Sequence, residues 1–397
     1  MQHLKGCIYM DYSFSDKAAR SETGIFAYLT QKRNELIKDG RKVYNLYIGT
    51  PDFPTPEHIV KAVSEAASKP ENYKYALTDL PELGDALISY YKRRYGVELF
   101  ADEFTSVNGS QDGIGHLGLA MCNADDYVLL PDPGYPVFEA GVKLAGAKIF
   151  YYKLLRENNF LPDMTTIPEE ILYKTKYMLV SYPSNPCGAA APKEMYVELI
   201  KYAKKYNFYI VNDNAYSDII FDGREGYSFL SIEGAKEVGI EFFSLSKSFD
   251  TTGARISFAV GNRHMIEAIK IIRSQYDFGM FLPIQYGAIA ALTGETESVK
   301  AQCEAYKRRR DALCGGFRKI GWDVPDSQGT MFVWAPIPKK YESSESFWKA
   351  LIDKTGILCT PGTAFGPAGE GYVRFALVLP EEELAHIAEL VGQSGLI

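Results

Sequence analysis

The chain has 397 residues, of which 46% are hydrophobic and 23% charged, with a formal net charge of −7. This length exceeds what one compact core usually fills, so we expect two domains in an ordinary globular protein. The negative charge argues against a nucleic-acid partner. Because the sequence has no apolar run of about 18 residues and no secretory leader pattern, we expect no membrane span and a cytoplasmic location.

The cysteines and histidines form no pattern typical of a metal site. The six cysteines are scattered without a CxxC pair, which in a chain of this length indicates reduced thiols. The five histidines lack the spacing of metal ligands. We therefore predict no metal site.

The N-terminal part begins with helical periodicity over residues 17–39. A short strand over 43–49 then leads into the proline-rich turn at 50–56, and a helix is predicted over 57–68. These elements precede the region in which most of the candidate chemistry lies.

The central region, from about residue 105 to 260, alternates short apolar strands with helical patterns. Its clearest members are strands at 127–130, 177–180, 208–211 and 241–244 and an amphipathic helix at 193–206. Such alternation predicts an α/β layer with a mainly parallel sheet. Ligands bind beyond the carboxyl ends of the strands in sheets of this kind.

The C-terminal part changes character from about residue 290. Predicted elements are a charged helix at 296–320, strands at 330–336 and 371–378, and a helix at 381–391. We expect a smaller α+β domain that includes the N-terminal helix. The predicted domains are therefore 46–288 for the large one, and 1–45 with 289–397 for the small one.

The turn at residues 108–113 places glycines and a hydroxyl at the start of an apolar helix. Free backbone N–H groups at such a position, next to Ser110 and Gln111, can bind a phosphate. A plain strand–turn–helix junction capped by Ser110 explains the same residues equally well.

Three later turns carry polar side chains just after predicted strands. Tyr135 could stack on a planar ring, although a core or surface role is the default for a tyrosine. Asn185 could donate to a cofactor oxygen or belong to an ordinary Asn-Pro turn. Asp213 is costly after a buried strand unless it is paired, and a pyridinium N–H would pair it; helix capping is the alternative. Tyr216 could then reach a ring hydroxyl.

Lys247 lies in the run Ser244–Phe249, among apolar and hydroxyl residues, and Arg255 follows eight positions later. A buried lysine can have its pKa lowered enough to act as a nucleophile, and serine hydroxyls with an arginine suit a phosphate. An amine nucleophile beside a phosphate site suggests pyridoxal phosphate held as a Schiff base. A surface lysine in a serine-rich loop is the default for this run alone.

Arg374 stands in the apolar strand pattern near the C-terminus. An arginine among apolar neighbours needs a carboxylate or phosphate partner, and a structural ion pair would serve as well as a ligand.

Taken together, these segments resemble the class I/II aminotransferases, which are fold-type I pyridoxal-phosphate enzymes. The matching motifs span essentially the whole chain and are Gly49–Pro56, Asn108–Gly113, Pro133–Pro136, Asn185–Gly188, Asp213–Tyr216, Ser244–Lys247, Arg255 and Arg374. The stretches 160–163, 213–223, 238–249 and 361–377 are similar to the LL-diaminopimelate/aspartate-type bacterial branch.

The resemblance implies a mainly parallel seven-stranded sheet flanked by helices, with a smaller discontinuous α+β domain. It implies that Lys247 binds the cofactor covalently and later moves a proton at the substrate α-carbon. Asp213 would pair with the pyridine nitrogen, and Tyr216 and Asn185 would hold the ring 3-oxygen. Tyr135 would stack on the ring.

The resemblance also implies a phosphate site made by Ser110, Gln111 through its backbone, Ser244 and Arg255. Tyr75 would reach the phosphate of a neighbouring subunit, because such enzymes are homodimers with shared active sites.

For the substrate, the resemblance implies that Arg374 binds the α-carboxylate, assisted by Asn185 and the Gly49 backbone. A second substrate carboxylate needs its own polar contact, and the open candidates are Arg20, Lys32, Arg33 and Arg273.

The chain departs from the family pattern at Leu80, Leu83-Gly84, Cys187, Ala254 and Ile256-Ser257. None of these changes removes a group that the chemistry needs. Gly84 and Ala254 are expected to alter the surroundings of the site.

The expected function is a pyridoxal-phosphate-dependent aminotransferase that moves an amino group between an L-amino acid and a 2-oxo acid by a ping-pong mechanism. LL-Diaminopimelate and aspartate are candidate donors. A C–S β-lyase resembling cystathionine β-lyase and a non-catalytic cofactor-binding sensor domain remain the alternatives.

Overall fold

The computed structural model describes residues 14, 15, 17, 25–277 and 279–397. The strands in these residues are β1 (Tyr44–Asn45), β2 (Phe104–Val107), β3 (Tyr127–Asp132), β4 (Lys148–Lys153), β5 (Thr175–Ser181), β6 (Tyr209–Asn214), β7 (Gly239–Ser244), β8 (Ser257–Gly261), β9 (Phe332–Pro336), β10 (Ile357–Leu358), β11 (Thr360–Pro361) and β12 (Tyr372–Ala376).

The α-helices of the same residues are α1 (Ile25–Lys38), α2 (Glu57–Ala67), α3 (Pro81–Tyr95), α4 (Ser110–Met121), α5 (Phe138–Ala145), α6 (Glu169–Leu172), α7 (Lys193–Tyr206), α8 (Ala235–Val238), α9 (Leu245–Ser248), α10 (Arg263–Tyr276), α11 (Leu282–Thr293), α12 (Glu297–Lys319), α13 (Ser344–Thr355) and α14 (Glu381–Gln393). Short 3-10 helices lie at Pro70–Tyr73, Arg156–Asn158, Met164–Thr166, Phe229–Ser231, Thr252–Ala254, Gly362–Phe365 and Pro367–Gly369.

The large sheet formed by the described residues has seven strands in the order β2-β8-β7-β6-β5-β3-β4. Strands β3 to β7 pair in parallel, while β8 runs antiparallel to both β2 and β7. The predicted α/β fold with a mainly parallel seven-stranded sheet is therefore confirmed.

Helices cover both faces of this sheet, and strand β5 shows why its sequence reads as a continuous apolar run. Met178 and Val180 pack into one core, with residues of α3, α7 and α11. Tyr177 and Leu179 pack into the core on the opposite face, with residues of α4, α5 and α10. A parallel strand buried on both faces has no polar side to alternate with the apolar one.

A separate core joins α1 to the C-terminal part of the chain. It contains residues of α1, α12, α13 and α14 together with β9 and β12. The three-stranded sheet here has the order β11-β12-β9 and is antiparallel, and β1 pairs in parallel with β10. The domain limits at 45/46 and 288/289 stay a prediction. The assignment of residues 1–45 to the small domain also stays a prediction, and part of this segment lies outside the described residues.

Several element boundaries differ from the predictions. The strand expected over 43–49 is only Tyr44–Asn45. The helix expected over 17–39 is found at Ile25–Lys38, and residues 18–24 lie outside the described part of the chain. No helix among the described residues combines the length and the apolar character needed to cross a bilayer.

Candidate active site

A cavity of about 340 Å³ opens at the carboxyl ends of β3, β5, β6 and β7. Residues expected there from the sequence line it together, namely Gly49, Ser110, Gln111, Tyr135, Asn185, Asp213, Tyr216, Ser244, Lys247, Arg255 and Arg374. Tyr75 does not line this cavity, and 81% of its surface is exposed. Its expected role concerns a neighbouring subunit, so it stays a prediction.

Lys247 projects from α9, the single helical turn that follows β7. Its Nζ donates a hydrogen bond to the Gly49 carbonyl oxygen at 2.5 Å. Burial lowers the pKa of Lys247 to about 8, and the positive charges of Arg374 and Arg255 act in the same direction. With this pKa, about one-tenth of the amine is uncharged at pH 7 and about half at pH 8, and the uncharged form is the nucleophile.

Gly49 has a steric reason to be glycine. A Cβ at this position would lie 2.4 Å from the Cζ atom of the Phe332 ring. The missing side chain lets the backbone at Gly49, whose carbonyl accepts from Lys247, pass close to the ring.

Asp213 is the penultimate residue of β6 and is 8% exposed. Burial raises the pKa of its carboxyl to about 7, an effect that the neighbouring Ser181 hydroxyl opposes. Among the described residues its Oδ1 atom has no hydrogen-bond partner. A buried acid with an unsatisfied oxygen is costly, so a ligand N–H carrying positive charge would fit here.

Two tyrosines form part of the cavity wall. Tyr216 is 6% exposed, and its ring lies 5.9 Å from that of Phe332. Burial raises its pKa, against the effect of the Arg374 charge. The Tyr135 ring packs edge-on against Phe138 at 5.8 Å, and burial raises its pKa as well. Both hydroxyls are therefore protonated donors at neutral pH.

The start of α4 forms an anion cradle with Arg255. Gly109 has a φ of +87°, and a Cβ there would lie 2.2 Å from Nη2 of Arg255, so glycine allows the guanidinium to approach the helix N-terminus. Arg255 Nη1 donates to the Thr252 carbonyl at 3.2 Å. The Ser110 Oγ atom has no hydrogen-bond partner within the part of the chain described. Free N–H groups, an unused hydroxyl and a cation suit a phosphate.

Ser244 lies beside this cradle, and its hydroxyl is already engaged. Its Oγ accepts from the Ser246 backbone N–H at 3.2 Å and from the Ser257 hydroxyl at 2.9 Å. Ser257, one of the departures from the family pattern, thus orients Ser244.

Arg374 lies in β12 and is 1% exposed. Its Nη1 donates to Asn185 Oδ1 at 2.7 Å, and its Nη2 donates to the Tyr47 carbonyl at 2.9 Å. Burial lowers its pKa to about 10. These two acceptors are neutral and orient the guanidinium toward the cavity without cancelling its charge.

The cavity residues fit pyridoxal phosphate. The unpaired oxygen of Asp213 suits a ring N–H of such a ligand, and the unpaired oxygen of Ser110 suits its phosphate. The amine of Lys247 lines the same cavity.

Of the open candidates for a second carboxylate, Lys32, Arg33 and Arg273 do not line this cavity. Arg273 is buried and pairs with Asp277 through Nη2 at 2.9 Å. Lys32 and Arg33 lie elsewhere, and Arg20 is outside the described residues. Leu80, Gly84, Cys187 and Ala254 do not line the cavity, and the expected effect of Gly84 and Ala254 on the surroundings of the site stays a prediction.

Sequence reasoning did not single out several lining residues, among them Phe332, Ser246 and Thr252. Ser246 precedes Lys247 and Thr252 lies three residues before Arg255, so their closeness in sequence to predicted site residues could have indicated them. Phe332 carries no such signal, because one phenylalanine in an apolar strand looks like any other core residue.

One group of possible metal ligands occurs among the described residues. The ligand atoms of Asp112, His116 and Asp277 lie within 4.8 Å of one another. Asp277 is already paired with Arg273, and the expected lack of a metal site stays a prediction.

Comparison with known proteins gives extensive matches. The family profile "Aminotransferase class I and II" matches residues 41–391. An LL-diaminopimelate aminotransferase of Dehalococcoides mccartyi is 44% identical over 91% of this chain and 93% of its own length. The LL-diaminopimelate aminotransferase of Aquifex aeolicus is 40% identical over 96% of this chain and 98% of its own.

Solved structures agree with the sequence relatives. Substrate-bound BacF from Bacillus subtilis superposes with a TM-score of 0.94 at 34% identity, covering 98% of this chain and 99% of that one. A double mutant of Thermus thermophilus aspartate aminotransferase gives a TM-score of 0.88 at 28% identity, covering 96% and 99%. The resemblance stated from the motifs is confirmed, and the chain belongs to the class I and II aminotransferases, a family of pyridoxal-phosphate-dependent enzymes.

Proposed function

We propose that this aminotransferase takes its amino group from LL-diaminopimelate or a related L-amino acid and passes it to a 2-oxo acid such as 2-oxoglutarate. The observation that carries the proposal is one cavity that holds a weakly basic lysine, a buried arginine and a buried acid with an unpaired oxygen. The donor is suggested by relatives that are 39–44% identical over more than 90% of this chain and are LL-diaminopimelate aminotransferases.

Pyridoxal phosphate supplies an electrophilic carbon and an electron sink when bound. In our proposal the Lys247 amine would attach the cofactor, and would afterwards accept the proton of the substrate α-carbon and deliver it to C4′, the cofactor carbon to which the amine had been attached. A pKa of about 8 supports both duties, because the amine exchanges a proton at little cost near neutral pH.

Asp213 is proposed to bind the ring N–H through its unpaired Oδ1, which would keep that nitrogen positively charged. Tyr216 and Asn185 would hold the ring 3-oxygen. Since Asn185 Oδ1 already accepts from Arg374, its Nδ2 group is the one that would face the cofactor. Tyr135 would stack on the ring.

The phosphate would lie in the cradle at the start of α4, bound by Ser110, the Gln111 backbone and Arg255. Ser244 is proposed as a further contact, and its existing bonds to Ser246 and Ser257 would fix the direction of its lone pairs.

Arg374 is proposed to bind the substrate α-carboxylate with two parallel hydrogen bonds, the geometry that a guanidinium supports best. Asn185 and the Gly49 backbone would assist. The hydrogen bond from Lys247 to the Gly49 carbonyl supports this arrangement, because it brings the amine next to the segment proposed to assist the substrate.

We also propose a homodimer with shared active sites, located in the cytoplasm. An exposed apolar patch supports the dimer: Tyr73, Tyr75 and Leu77 are 64–81% exposed, and the Tyr73 ring lies 5.3 Å from Phe281. A second cavity, which shares Gln111 and Arg255 with the active site, is bordered by the exposed Tyr276. A patch of this kind typically marks a protein interface.

The test is a steady-state assay with LL-diaminopimelate and 2-oxoglutarate, in which glutamate formation is measured. We expect turnover that requires both substrates. Release of pyruvate and ammonia from a cysteine conjugate without an oxo acid would instead indicate the β-lyase. Cofactor binding without turnover of any amino acid would indicate the sensor domain.

A further inference from the structure

The guanidinium of Arg374 lies over two aromatic rings as well as between two hydrogen-bond acceptors. Its Cζ atom is 4.0 Å from the centroid of the Phe332 ring and 4.5 Å from that of the Phe365 ring. Both phenylalanines are almost fully buried, at 2% and 3% exposure.

The two rings reach Arg374 from different parts of the chain. Phe332 opens β9 and pairs with Ala376 across the small sheet, and it lines the active-site cavity. Phe365 ends the 3-10 helix that follows β11. It lies outside the cavity wall, where it packs edge-on against Trp334 at 5.8 Å.

Phe365 is itself held in place from the large sheet. Its carbonyl oxygen accepts a hydrogen bond from the Gly134 N–H at 2.7 Å, one residue before Tyr135. The neighbouring Ala368 N–H donates to Asp132 Oδ1 at 3.0 Å. The end of β3 is thus tied to the segment that supports Arg374.

Hydrogen bonds and rings constrain a guanidinium in different ways. Bonds to Asn185 and Tyr47 lie near the guanidinium plane and fix where its edge points, but they resist tilting of that plane only weakly. A ring under the cation adds an attraction that depends on tilt and distance, and burial strengthens it. Bidentate recognition of a carboxylate requires a defined plane.

We propose that Phe332 and Phe365 are positioning residues that fix the plane of the Arg374 guanidinium, and hence the orientation in which the substrate carboxylate is bound. This inference rests on the role proposed above for Arg374. Phe365 is the sharper test, because it acts on the guanidinium from outside the cavity wall.

The experiment compares Phe365→Leu with Phe347→Leu in the cofactor-loaded enzyme. Phe347 is fully buried in the core that also contains Phe332, next to Trp322 and Tyr341, and therefore controls for the loss of a core ring. We expect Phe365→Leu to raise the KM for the amino acid and the inhibition constant of propionate about tenfold, with kcat within about twofold. Phe347→Leu should leave both constants unchanged.

A second readout does not depend on turnover. Titration of the apoenzyme with pyridoxal phosphate should give the same affinity for Phe365→Leu as for the wild type, because Phe365 does not line the cavity. Equal losses of cofactor and carboxylate affinity would mean a general collapse of the site and would overturn the proposal. If Phe365→Leu does not fold, Phe365→Met, which also removes the ring and keeps most of its volume, takes its place.

The outcomes separate this inference from the proposed function. A wild-type enzyme without any transamination contradicts the proposed function. An active wild type with unchanged KM and propionate inhibition in Phe365→Leu contradicts the positioning role alone. Restoration of the wild-type KM by Phe365→Tyr, which keeps the ring, would support it.

Discussion

Two buried titratable side chains of the cavity have pKa values moved toward neutrality from opposite sides. Burial lowers the pKa of Lys247 to about 8 and raises the pKa of Asp213 to about 7. In both cases the low-polarity surroundings disfavour the charged form. A bound cofactor that reacts with the Lys247 amine and offers a cationic N–H to Asp213 would offset the cost of burying both groups. We therefore infer that the protein without cofactor is less stable than the protein with cofactor bound.

The pKa of Lys247 can be measured directly in the apoenzyme. We expect its amine to react with an acylating reagent with a midpoint near pH 8, because burial and two nearby arginines disfavour the ammonium form. Competitive labelling across a pH series, read by mass spectrometry, gives the midpoint. Lys61, whose side chain is 72% exposed, is the internal comparison, and a Lys247 midpoint at or above 10 would be incompatible with the buried site.

Asp213→Asn should have opposite effects on the empty and the loaded protein. The carboxyl pKa is raised from 3.8 to about 7, so the folded state binds a proton more tightly than the unfolded one. The loss of folding stability caused by burying the ionised carboxylate is therefore small at pH 4, grows as the pH rises, and reaches its full size above pH 7. The apo variant should therefore be more stable than wild type at pH 8, by up to about 4 kcal/mol, and equal to it near pH 4.

Chemical denaturation of both apoproteins at the two pH values measures this difference. Cofactor affinity should fall in the same variant, because the ring N–H loses its anionic partner. Wild-type stability at pH 8 that equals or exceeds that of the variant would show that Asp213 is not penalised by burial.

At the scale of elements, strand ends and helix starts position the chemistry. Asp213, Ser244 and Tyr135 lie at or just beyond the ends of parallel strands, where the sequence pattern predicted them. Their convergence on one cavity follows from strands running in the same direction. The antiparallel β8 and the ring of Phe332 could not be predicted in this way, because strand direction and ring contacts depend on distant partners.

The N-terminus of α4 offers a matched pair of glycine substitutions. Gly109→Ala adds a Cβ 2.2 Å from Arg255 Nη2 at a φ of +87°, so we expect pyridoxal-phosphate affinity to fall at least about tenfold, the equivalent of about 1.4 kcal/mol. Gly115→Ala, six residues further along and inside the helix, meets no atom within 4 Å and should stabilise the protein by about 0.5–1 kcal/mol. Fluorescence titration of the apoproteins with the cofactor and with inorganic phosphate compares them, and equal affinities would contradict the cradle.

At the scale of the whole molecule, we propose that the exposed patch around Tyr75 forms part of the interface between two copies of the chain. Burial of this patch by a second copy would remove several large apolar side chains from water. In the proposed dimer Tyr75 would lie near the cavity of the partner, since it does not line the cavity of its own chain.

Mixed dimers test this arrangement. Lys247→Ala and Tyr75→Ala homodimers should each be impaired. Dimers formed by mixing the two contain one site with both native residues if Tyr75 acts across the interface, so activity should reappear on mixing. If Tyr75 acts within its own chain, or if sedimentation shows monomers, mixing restores nothing.

The central claim is that the Lys247 cavity exchanges amino groups with free amino acids. The most direct measurement is the absorption spectrum of the loaded enzyme during addition of single amino acids, LL-diaminopimelate first, without any oxo acid. We predict a yellow band that bleaches stoichiometrically and returns when 2-oxoglutarate is added, and no such band in Lys247→Ala. A wild-type protein that shows no yellow band with added pyridoxal phosphate, or a band that no amino acid bleaches, would contradict the account.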